Sequence, residues 1–314
     1  MTPPTSRRLP FWRTVIDAHV ETIGLFPLLA RVAWPWLAVL MLVMSALYWL
    51  LWPLEQAIVA NGGTGSYAML ILPTFVPLMI GAFVAVPWHR ALLKGEAISS
   101  MTGLRLMPIA LRYFGWTSFF AMFLMGPLIA GYVYADISAS FAGAISADID
   151  SPSTGGPSTD GTAASLVGGS APWLDGPAMI VGIMLTIFGP LALCMFIPTR
   201  LTLMLPAIAV GAAEPDPSAI WKATRGNFWR LYLGGLLALL IPVTLMLFQT
   251  AVEAPPATRG AFIASSIMTD MILFLAGMVE VTFLSIAYQR LVLDPGLPET
   301  KPAQWPLATT DKFP

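Results

Sequence analysis

Six long apolar runs constrain the fold of this chain more than any other feature. They cover residues 33–52, 67–88, 113–134, 177–199, 231–251 and 269–289, so each contains between 20 and 23 residues. About 20 apolar residues are enough to carry a helix across the ~30 Å of hydrocarbon in a bilayer. Since lipid offers the backbone no hydrogen-bond partners, each run is expected to be helical. The sequence therefore predicts an all-α membrane protein, with six transmembrane helices in one domain over residues 11–295.

The composition excludes several other classes of protein. The chain is 57% hydrophobic and 11% charged, whereas soluble domains carry roughly 25% charged residues. A net charge of −1 gives no basic surplus for nucleic acid. Cys194 is the one cysteine, which excludes an internal disulfide or a cysteine-based zinc site. We expect no cofactor, no metal and no nucleic-acid partner.

Lysine and arginine indicate the orientation of the chain. Fifteen of the sixteen lie at one set of span ends, and only Arg259 lies at the other. The positive-inside rule then places both termini in the cytoplasm, including the tails 1–10 and 296–314. It places residues 135–176, a linker rich in Ser, Gly, Thr and Ala, on the outside, where we expect it to be flexible. The predicted location is the bacterial inner membrane, with multi-pass topology.

Two segments next to the spans are predicted to be amphipathic helices on the cytoplasmic membrane surface. One begins at Asp216, an N-cap followed by Pro217, and places Ile220, Thr224 and Leu231 on one face. The other covers residues 11–30. Its apolar face is predicted to contain Phe11, Val15, Ala18, Ile23 and Phe26.

Short matching segments indicate an internal repeat. The even-numbered spans end in WHRALL at 88–93, PTRLTL at 198–203 and YQRLVL at 288–293. The odd-numbered spans each begin after an arginine, namely Arg31, Arg112 and Arg230. This pattern predicts three repeated two-helix units. The alternative is that any inner helix end attracts arginine without common descent of the segments.

The segments AIWKATRGNFWRLYLGGLLALLIP, AVPWHRALLKGE and IPTRLTLMLPAIAVG resemble a known group of proteins. They are similar to the six-span membrane-domain family associated with glycerophosphodiester phosphodiesterases and to related bacterial integral membrane proteins. The resemblance implies a six-helix architecture and an inner-membrane location. It transfers no catalytic residue, because this chain has no room for the soluble phosphodiesterase barrel.

Glu280 is the first candidate functional residue. It lies ten residues before Arg290, which corresponds to a depth of about 15 Å along a helix. An acidic residue at such a depth costs roughly 2.5–3.5 kcal/mol, so we expect it to face the bundle and to bond with Thr244 or Gln249. It could be a proton or cation relay, or an interhelical hydrogen-bonding group. The lack of a second ionisable group in mid-span favours the structural interpretation. Asp270 is expected at the outer surface.

The other candidates are His89, Arg90, Arg200 and Arg290 at the inner ends of the spans. His89 and Arg90 could form part of a substrate site. Alternatively, Arg90 pairs with a lipid phosphate and Glu96 with a neighbouring base.

The sequence contains no HExxH, P-loop or GxSxG motif, and we therefore predict no catalytic residue. The expected function is that of a non-enzymatic scaffold, complex-assembly or lipid-associated module. Its partners would be the lipid bilayer, anionic phospholipids and another membrane protein or a second copy. The alternative is a proton- or ion-coupled transporter or channel that uses Glu280. No paired acid, base or nucleophile supports a membrane-embedded enzyme.

Overall fold

The computed structural model describes residues 8–60, 67–123, 195–211, 215–252 and 258–294. Within these ranges the regular structure is helical throughout and contains no strand, which confirms the predicted all-α class. The contacts described below belong to one compact unit, Met1–Ala121 with Ile197–Pro314. The linker 135–176 and the tail 296–314 lie outside the described residues, as do residues 1–7 of the N-terminal tail.

The described helices are numbered in chain order. The first four are α1 (Phe11–Gly24), α2 (Phe26–Ala60), α3 (Tyr67–Lys94) and α4 (Thr102–Arg105). Helical residues 107–123 form α5 and residues 195–201 form α6, each as far as it is described. The remaining helices are α7 (Met204–Ala209), α8 (Pro217–Ala223), α9 (Phe228–Val252) and α10 (Arg259–Tyr288). A π-helical turn, Gln289–Leu293, continues α10.

Three of these helices are long and apolar enough to cross a membrane. They are Phe26–Leu54, Thr74–Lys94 and Arg259–Leu293, with mean hydropathies of 2.0, 1.5 and 2.0. Two shorter apolar helices are Met195–Ala209 and Phe228–Pro242. The chain thus has the helices of a multi-pass membrane protein.

The six predicted spans are covered by the structure to different extents. Runs 33–52, 67–88 and 269–289 lie in α2, in α3 and in α10 with its π-helical turn, and run 231–251 lies in α9. Run 113–134 is described only to residue 123, and run 177–199 only from residue 195.

Helix α10 is the centre of the packing, with contacts to α1, α2, α3, α7 and α9. Its residues from Val281 to Tyr288 are buried at eight consecutive positions. A helix buried on all sides in this way belongs to the interior of a bundle. By contrast, only 17% of the apolar window of α2 is buried, against 61% for α3 and for α10. Helix α2 therefore presents most of its apolar surface outward.

Helix α10 begins ten residues before the predicted span, at Arg259, where Thr258 caps it by accepting a hydrogen bond from the Ala261 amide. As a result Asp270 lies well inside the helix. It is buried and accepts a hydrogen bond from Tyr48 Oη at 3.0 Å. The sequence predicts Asp270 at the outer surface because it lies twenty residues before Arg290, and that distance does not reveal that its side chain is buried against Tyr48. Thr269, the first residue of the predicted span, lies inside α10, and its hydroxyl donates a hydrogen bond to the Ser265 carbonyl at 3.1 Å.

The predicted surface helix at Asp216 is present but separate from the span that follows it. The Asp216 carboxylate accepts from the Ser218 amide at 2.8 Å, which confirms the N-cap. Ile220, Thr224 and Leu231 are buried as expected. Gly226 has a φ of +78°, a left-handed conformation that suits glycine. This residue ends the surface segment, and α9 starts two residues later.

Candidate functional site

Polar side chains from four helices meet in the interior of the bundle and form what we call the polar layer. Its members are buried residues from α1, α3, α5 and α10: Thr22, Trp88, His89, Tyr113, Thr282 and Ser285. Each belongs to a helix that is otherwise apolar or amphipathic, so the tertiary packing alone brings them together. A buried polar group needs a partner, and the geometry supplies one for each.

His89 is fully buried between α5 and α10. Its Nδ1 lies 2.7 Å from Ser285 Oγ, and its Nε2 lies 3.1 Å from Tyr113 Oη. Ser285 donates its one hydroxyl proton to the Val281 carbonyl, so its oxygen accepts from His89 Nδ1–H. Nε2 must then accept from the Tyr113 hydroxyl. This network assigns His89 as a neutral imidazole with its proton on Nδ1.

Thr282 joins three helices through one hydroxyl group. It donates to the Met278 carbonyl at 2.9 Å and accepts from Trp88 Nε1 at 3.0 Å. The Thr22 hydroxyl of α1 lies 3.0 Å from the same oxygen. Such bonds between helices replace the water that a polar group would otherwise bind. Helices α1 and α3 are thereby fixed to α10 at one level.

Glu280 lies beside this layer rather than at an isolated position. It interacts electrostatically with Tyr113, whose hydroxyl bonds with His89. The expected partner Thr244 instead donates to the Leu240 carbonyl of its own helix at 2.8 Å. The side chain of Gln249 lies outside the described residues.

The three candidate arginines do not gather into one site. Each instead joins the end of an apolar helix to another segment, and we call these contacts the arginine clamps of Arg90, Arg200 and Arg290. Arg290 donates from Nη1 to Thr14 Oγ1 at 2.7 Å and from Nη2 to Asp17 Oδ2 at 2.6 Å. This buried arginine therefore fixes α1 to the end of α10.

Arg200 makes the corresponding contact with α8. Its Nε donates to Thr224 Oγ1 at 3.3 Å and its Nη2 to the Trp221 carbonyl. The guanidinium also lies 3.7 Å from the centre of the Trp221 ring, a favourable cation–π position. The residue that Arg200 meets, Thr224, resembles Thr14 in detail. Both threonines are buried and donate to the carbonyl four residues earlier, at 2.9 Å.

Arg90 is bound differently from the other two. Its Nε and Nη2 donate to both carboxylate oxygens of Glu96 at 2.6 and 2.7 Å, and its Nη1 donates to the Ala209 carbonyl at 3.3 Å. The partner of Arg90 is therefore the carboxylate of Glu96 rather than the predicted lipid phosphate. The two groups are paired in the bidentate geometry that arginine favours. The pairing of Glu96 with a neighbouring base is confirmed.

Arg230 and Arg259 make contacts that the sequence did not predict. Arg230 donates to the Leu9 carbonyl at 2.7 Å, while the Leu9 amide donates to Asn227 Oδ1 at 2.8 Å. The start of α9 thus holds the segment before α1. Arg259 bonds to the Trp49 carbonyl and lies 3.4 Å from the Trp49 ring centre, so these two residues share one end of the bundle.

In the part of the chain that the structure describes, no group of three or more His, Cys, Asp or Glu residues could hold a metal ion. Comparison of the chain with protein-family models, curated proteins and solved structures gives no match. The geometry of the polar layer and of the arginine clamps is therefore the basis for a functional proposal.

Sequence reasoning singled out His89, Arg90, Arg200 and Arg290, but it missed most of the partners that the structure gives them. Thr282 and Ser285 stand three residues apart, which places them on one face of an otherwise apolar helix. That spacing was a usable signal. Thr14 and Tyr113 gave none, since threonine and tyrosine are ordinary residues near the ends of membrane helices. The sequence placed Thr224 on a shared face with Ile220, but nothing marked it as the partner of Arg200.

Proposed function

We propose that the protein is a non-enzymatic integral membrane protein that acts as a scaffold or lipid-associated assembly module. One observation carries this proposal: arginine clamps fix α1 and α8 to the ends of apolar helices. The Arg290 and Arg200 guanidinium groups each bond to a buried threonine and to a second group on the same helix. Surface helices held in this way form a fixed platform at one end of the bundle. We propose that this platform binds anionic phospholipid. We also propose that it binds either a membrane-protein partner or a second copy of the chain.

The six-span arrangement and its three repeated units are part of the same proposal. The matching contacts of Arg290 with Thr14 and of Arg200 with Thr224 support the repeat, because each links the end of one unit to the surface helix of another. Arg90 departs from this scheme through its bond to Glu96. We also propose membership of the six-span family associated with glycerophosphodiester phosphodiesterases, an inner-membrane location and cytoplasmic termini.

The lipids that remain around the protein test the scaffold proposal. We would extract the wild type and the Arg290→Met variant from membranes with an amphipathic copolymer and measure their phospholipids by mass spectrometry. The wild type should be enriched in anionic lipid over the bulk membrane, and the variant should lose most of that enrichment because α1 is released. Arg225→Ala removes an exposed arginine after α8 without releasing a helix, so as the matched control it should reduce the enrichment less than Arg290→Met does. Bulk lipid composition around the wild type would contradict the proposal.

A second candidate function is proton- or ion-coupled transport. It is favoured by the position of Tyr113, which bonds with His89 and interacts with Glu280. A carboxylic acid near a phenol that is hydrogen-bonded to an imidazole belongs to a set of groups that can exchange protons. The Ser285 hydroxyl after His89 donates to a backbone carbonyl, so the described chain of bonds ends inside the bundle. Because the described hydrogen bonds form no path across the bundle, they favour the scaffold function over transport.

Proton flux into vesicles that contain the purified protein distinguishes the two functions. A scaffold predicts the same background flux for the wild type and for Glu280→Gln. If the wild type shows flux and Glu280→Gln abolishes it while inserting normally, the transporter proposal is correct and the scaffold is wrong. Glu96→Gln, which alters the Arg90 clamp and leaves the polar layer intact, controls for general damage.

A further inference from the structure

Helix α1 has three different faces, although an amphipathic helix normally has two. Thr14, Val15, Ala18 and Thr22 are buried against the rest of the bundle. Arg13, Asp17 and Glu21 follow one another at intervals of four residues and form a charged face. A third face is made of large apolar residues that remain exposed, and we call it the apolar stripe: Trp12 (67%), Ile16 (58%), Val20 (61%) and Ile23 (72%).

The buried face holds α1 in one rotational position. Arg290 binds Thr14 and Asp17, and Thr22 bonds with Thr282. The two sets of contacts are eight residues apart on α10, or about 12 Å at 1.5 Å per residue. Helix α1 therefore runs alongside α10 for two turns and cannot rotate to bury the apolar stripe. The predicted apolar face is wrong in this respect, since Val15 and Ala18 lie in the bundle while Ile23 and Phe26 point outward.

The apolar stripe is continuous with the outward surface of α2. Only Leu25 separates the two helices, and Phe26, half-exposed, is the first residue of α2. Ile23 thus lies within one turn of a helix that is long enough to cross a membrane and that exposes Leu42 and Leu50 to more than 70%. The stripe and the exposed apolar surface of α2 are therefore neighbours in the chain, with no loop between them.

The charges near the stripe suit an anionic lipid surface. Arg8 precedes α1 and Arg31 follows it, and both side chains are exposed. Exposed arginines next to an apolar stripe can reach phosphate groups while the apolar residues enter the acyl-chain region. Asp17 is paired with Arg290, and Glu21, the other carboxylate of α1, is outnumbered by Arg8, Arg13 and Arg31.

We propose that the apolar stripe of α1 is inserted in the cytoplasmic lipid leaflet, with anionic phospholipid as its occupant. Helix α1 would then contact protein on one face, lipid on the second and water on the third. This inference rests on the proposed function as a membrane protein and names the partner of the α1 platform.

Fluorescence quenching at single labelled cysteines tests the proposal. On a Cys194→Ala background, an environment-sensitive fluorophore would be attached to Ile16→Cys and Ile23→Cys in nanodiscs of phosphatidylcholine with phosphatidylglycerol. Leu42→Cys on α2 is the lipid-facing control, and Lys222→Cys on α8 is the water-facing control. We expect doxyl lipid to quench the labels at 16, 23 and 42 at least about threefold more strongly than iodide does, and the reverse at 222.

The outcomes separate this inference from the proposal on which it rests. Quenching of labels 16 and 23 by iodide, with label 42 still quenched by lipid, overturns the inference and leaves the membrane protein intact. Quenching of label 42 by iodide contradicts the membrane proposal itself. Protection of labels 16 and 23 from both quenchers also overturns the inference, and a disulfide-linked dimer of Ile16→Cys would then identify a second copy as the occupant.

Discussion

Single hydroxyl groups decide how the helices of this protein fit together. The Thr282 hydroxyl receives hydrogen bonds from α1 and from α3, and the Ser285 hydroxyl receives one from His89. Both also bond to their own helix, four residues earlier. A serine or threonine can use its lone pairs in this way without leaving its helix. The polar layer therefore fixes the rotational position of three helices without a buried charge.

Thr282→Val should destabilise the folded protein by about 1–3 kcal/mol, because Trp88 Nε1 loses its partner in the interior. Thr244→Val is a matched control, since Thr244 also donates to the carbonyl four residues earlier but is exposed. It should change stability little. Unfolding in mixed detergent micelles measures both variants. Equal effects of the two substitutions would show that the contacts of Thr282 with α1 and α3 do not stabilise the bundle.

At the scale of elements, two neighbouring glycines test the packing of α9 on α10. A Cβ at Gly234 would lie 2.4 Å from Phe283 Cζ, whereas a Cβ at Gly235 meets nothing within 4 Å. Phe283 is fully buried, so its ring would have to shift among packed neighbours to make room for a Cβ at Gly234. Gly234→Ala should therefore lower the unfolding temperature, and Gly235→Ala should leave it unchanged or raise it slightly because alanine favours a helix. Detergent-solubilised thermal unfolding compares the two, and a larger loss for Gly235→Ala would contradict the packing described.

The start of α8 should depend on pH through Asp216. Hydrogen bonds from Ser218, first from its hydroxyl and then from its amide, lower the pKa of Asp216 below its ordinary value. The stabilisation is present above the ordinary aspartate pKa and disappears as the pH falls through the lower folded-state pKa. Helix α8 should therefore fray in acid but not near neutrality.

Hydrogen exchange of the peptide that covers α8, corrected for the intrinsic effect of pH, measures this fraying. Asp216→Asn keeps a good N-cap but has no titrating group, so its exchange should lack the acid-dependent step. The Asp216 prediction is wrong if both proteins show the same step.

At the scale of the whole molecule, the remaining prediction concerns topology. A cysteine introduced at Gly155 on a Cys194→Ala background should react with a membrane-impermeant reagent added outside intact cells. Cysteines in either tail should react only after the inner membrane is opened. Labelling of Gly155→Cys only in opened cells would refute the predicted orientation and, with it, the cytoplasmic position of the arginine clamps.

The candidate site was only partly accessible from the sequence. Arg290 and Glu280 stand out because charged residues in or beside apolar runs are costly and rare. Their partners do not stand out, since Asp17 is 273 positions from Arg290 in the sequence and belongs to a different helix. The burial of Asp270 was missed for a related reason: a carboxylate can be buried where a tyrosine such as Tyr48 bonds to it, and no local pattern in the sequence reveals that contact.

Local patterns in the amino-acid sequence were enough to predict an all-helical chain and to locate the apolar helices α2, α3, α9 and α10. Runs of some 20 apolar residues must form helices in lipid, and an aspartate followed by a proline starts a surface helix, because these are local effects of backbone hydrogen bonding and hydrophobicity. The tertiary structure alone decided which face of each helix turned inward. In α1 both the stripe of Trp12 and Ile23 and the face of Val15 and Ala18 are apolar, so periodicity could not choose between them. The Arg290 clamp and the Thr22–Thr282 bond made that choice, since only one rotation of α1 satisfies both.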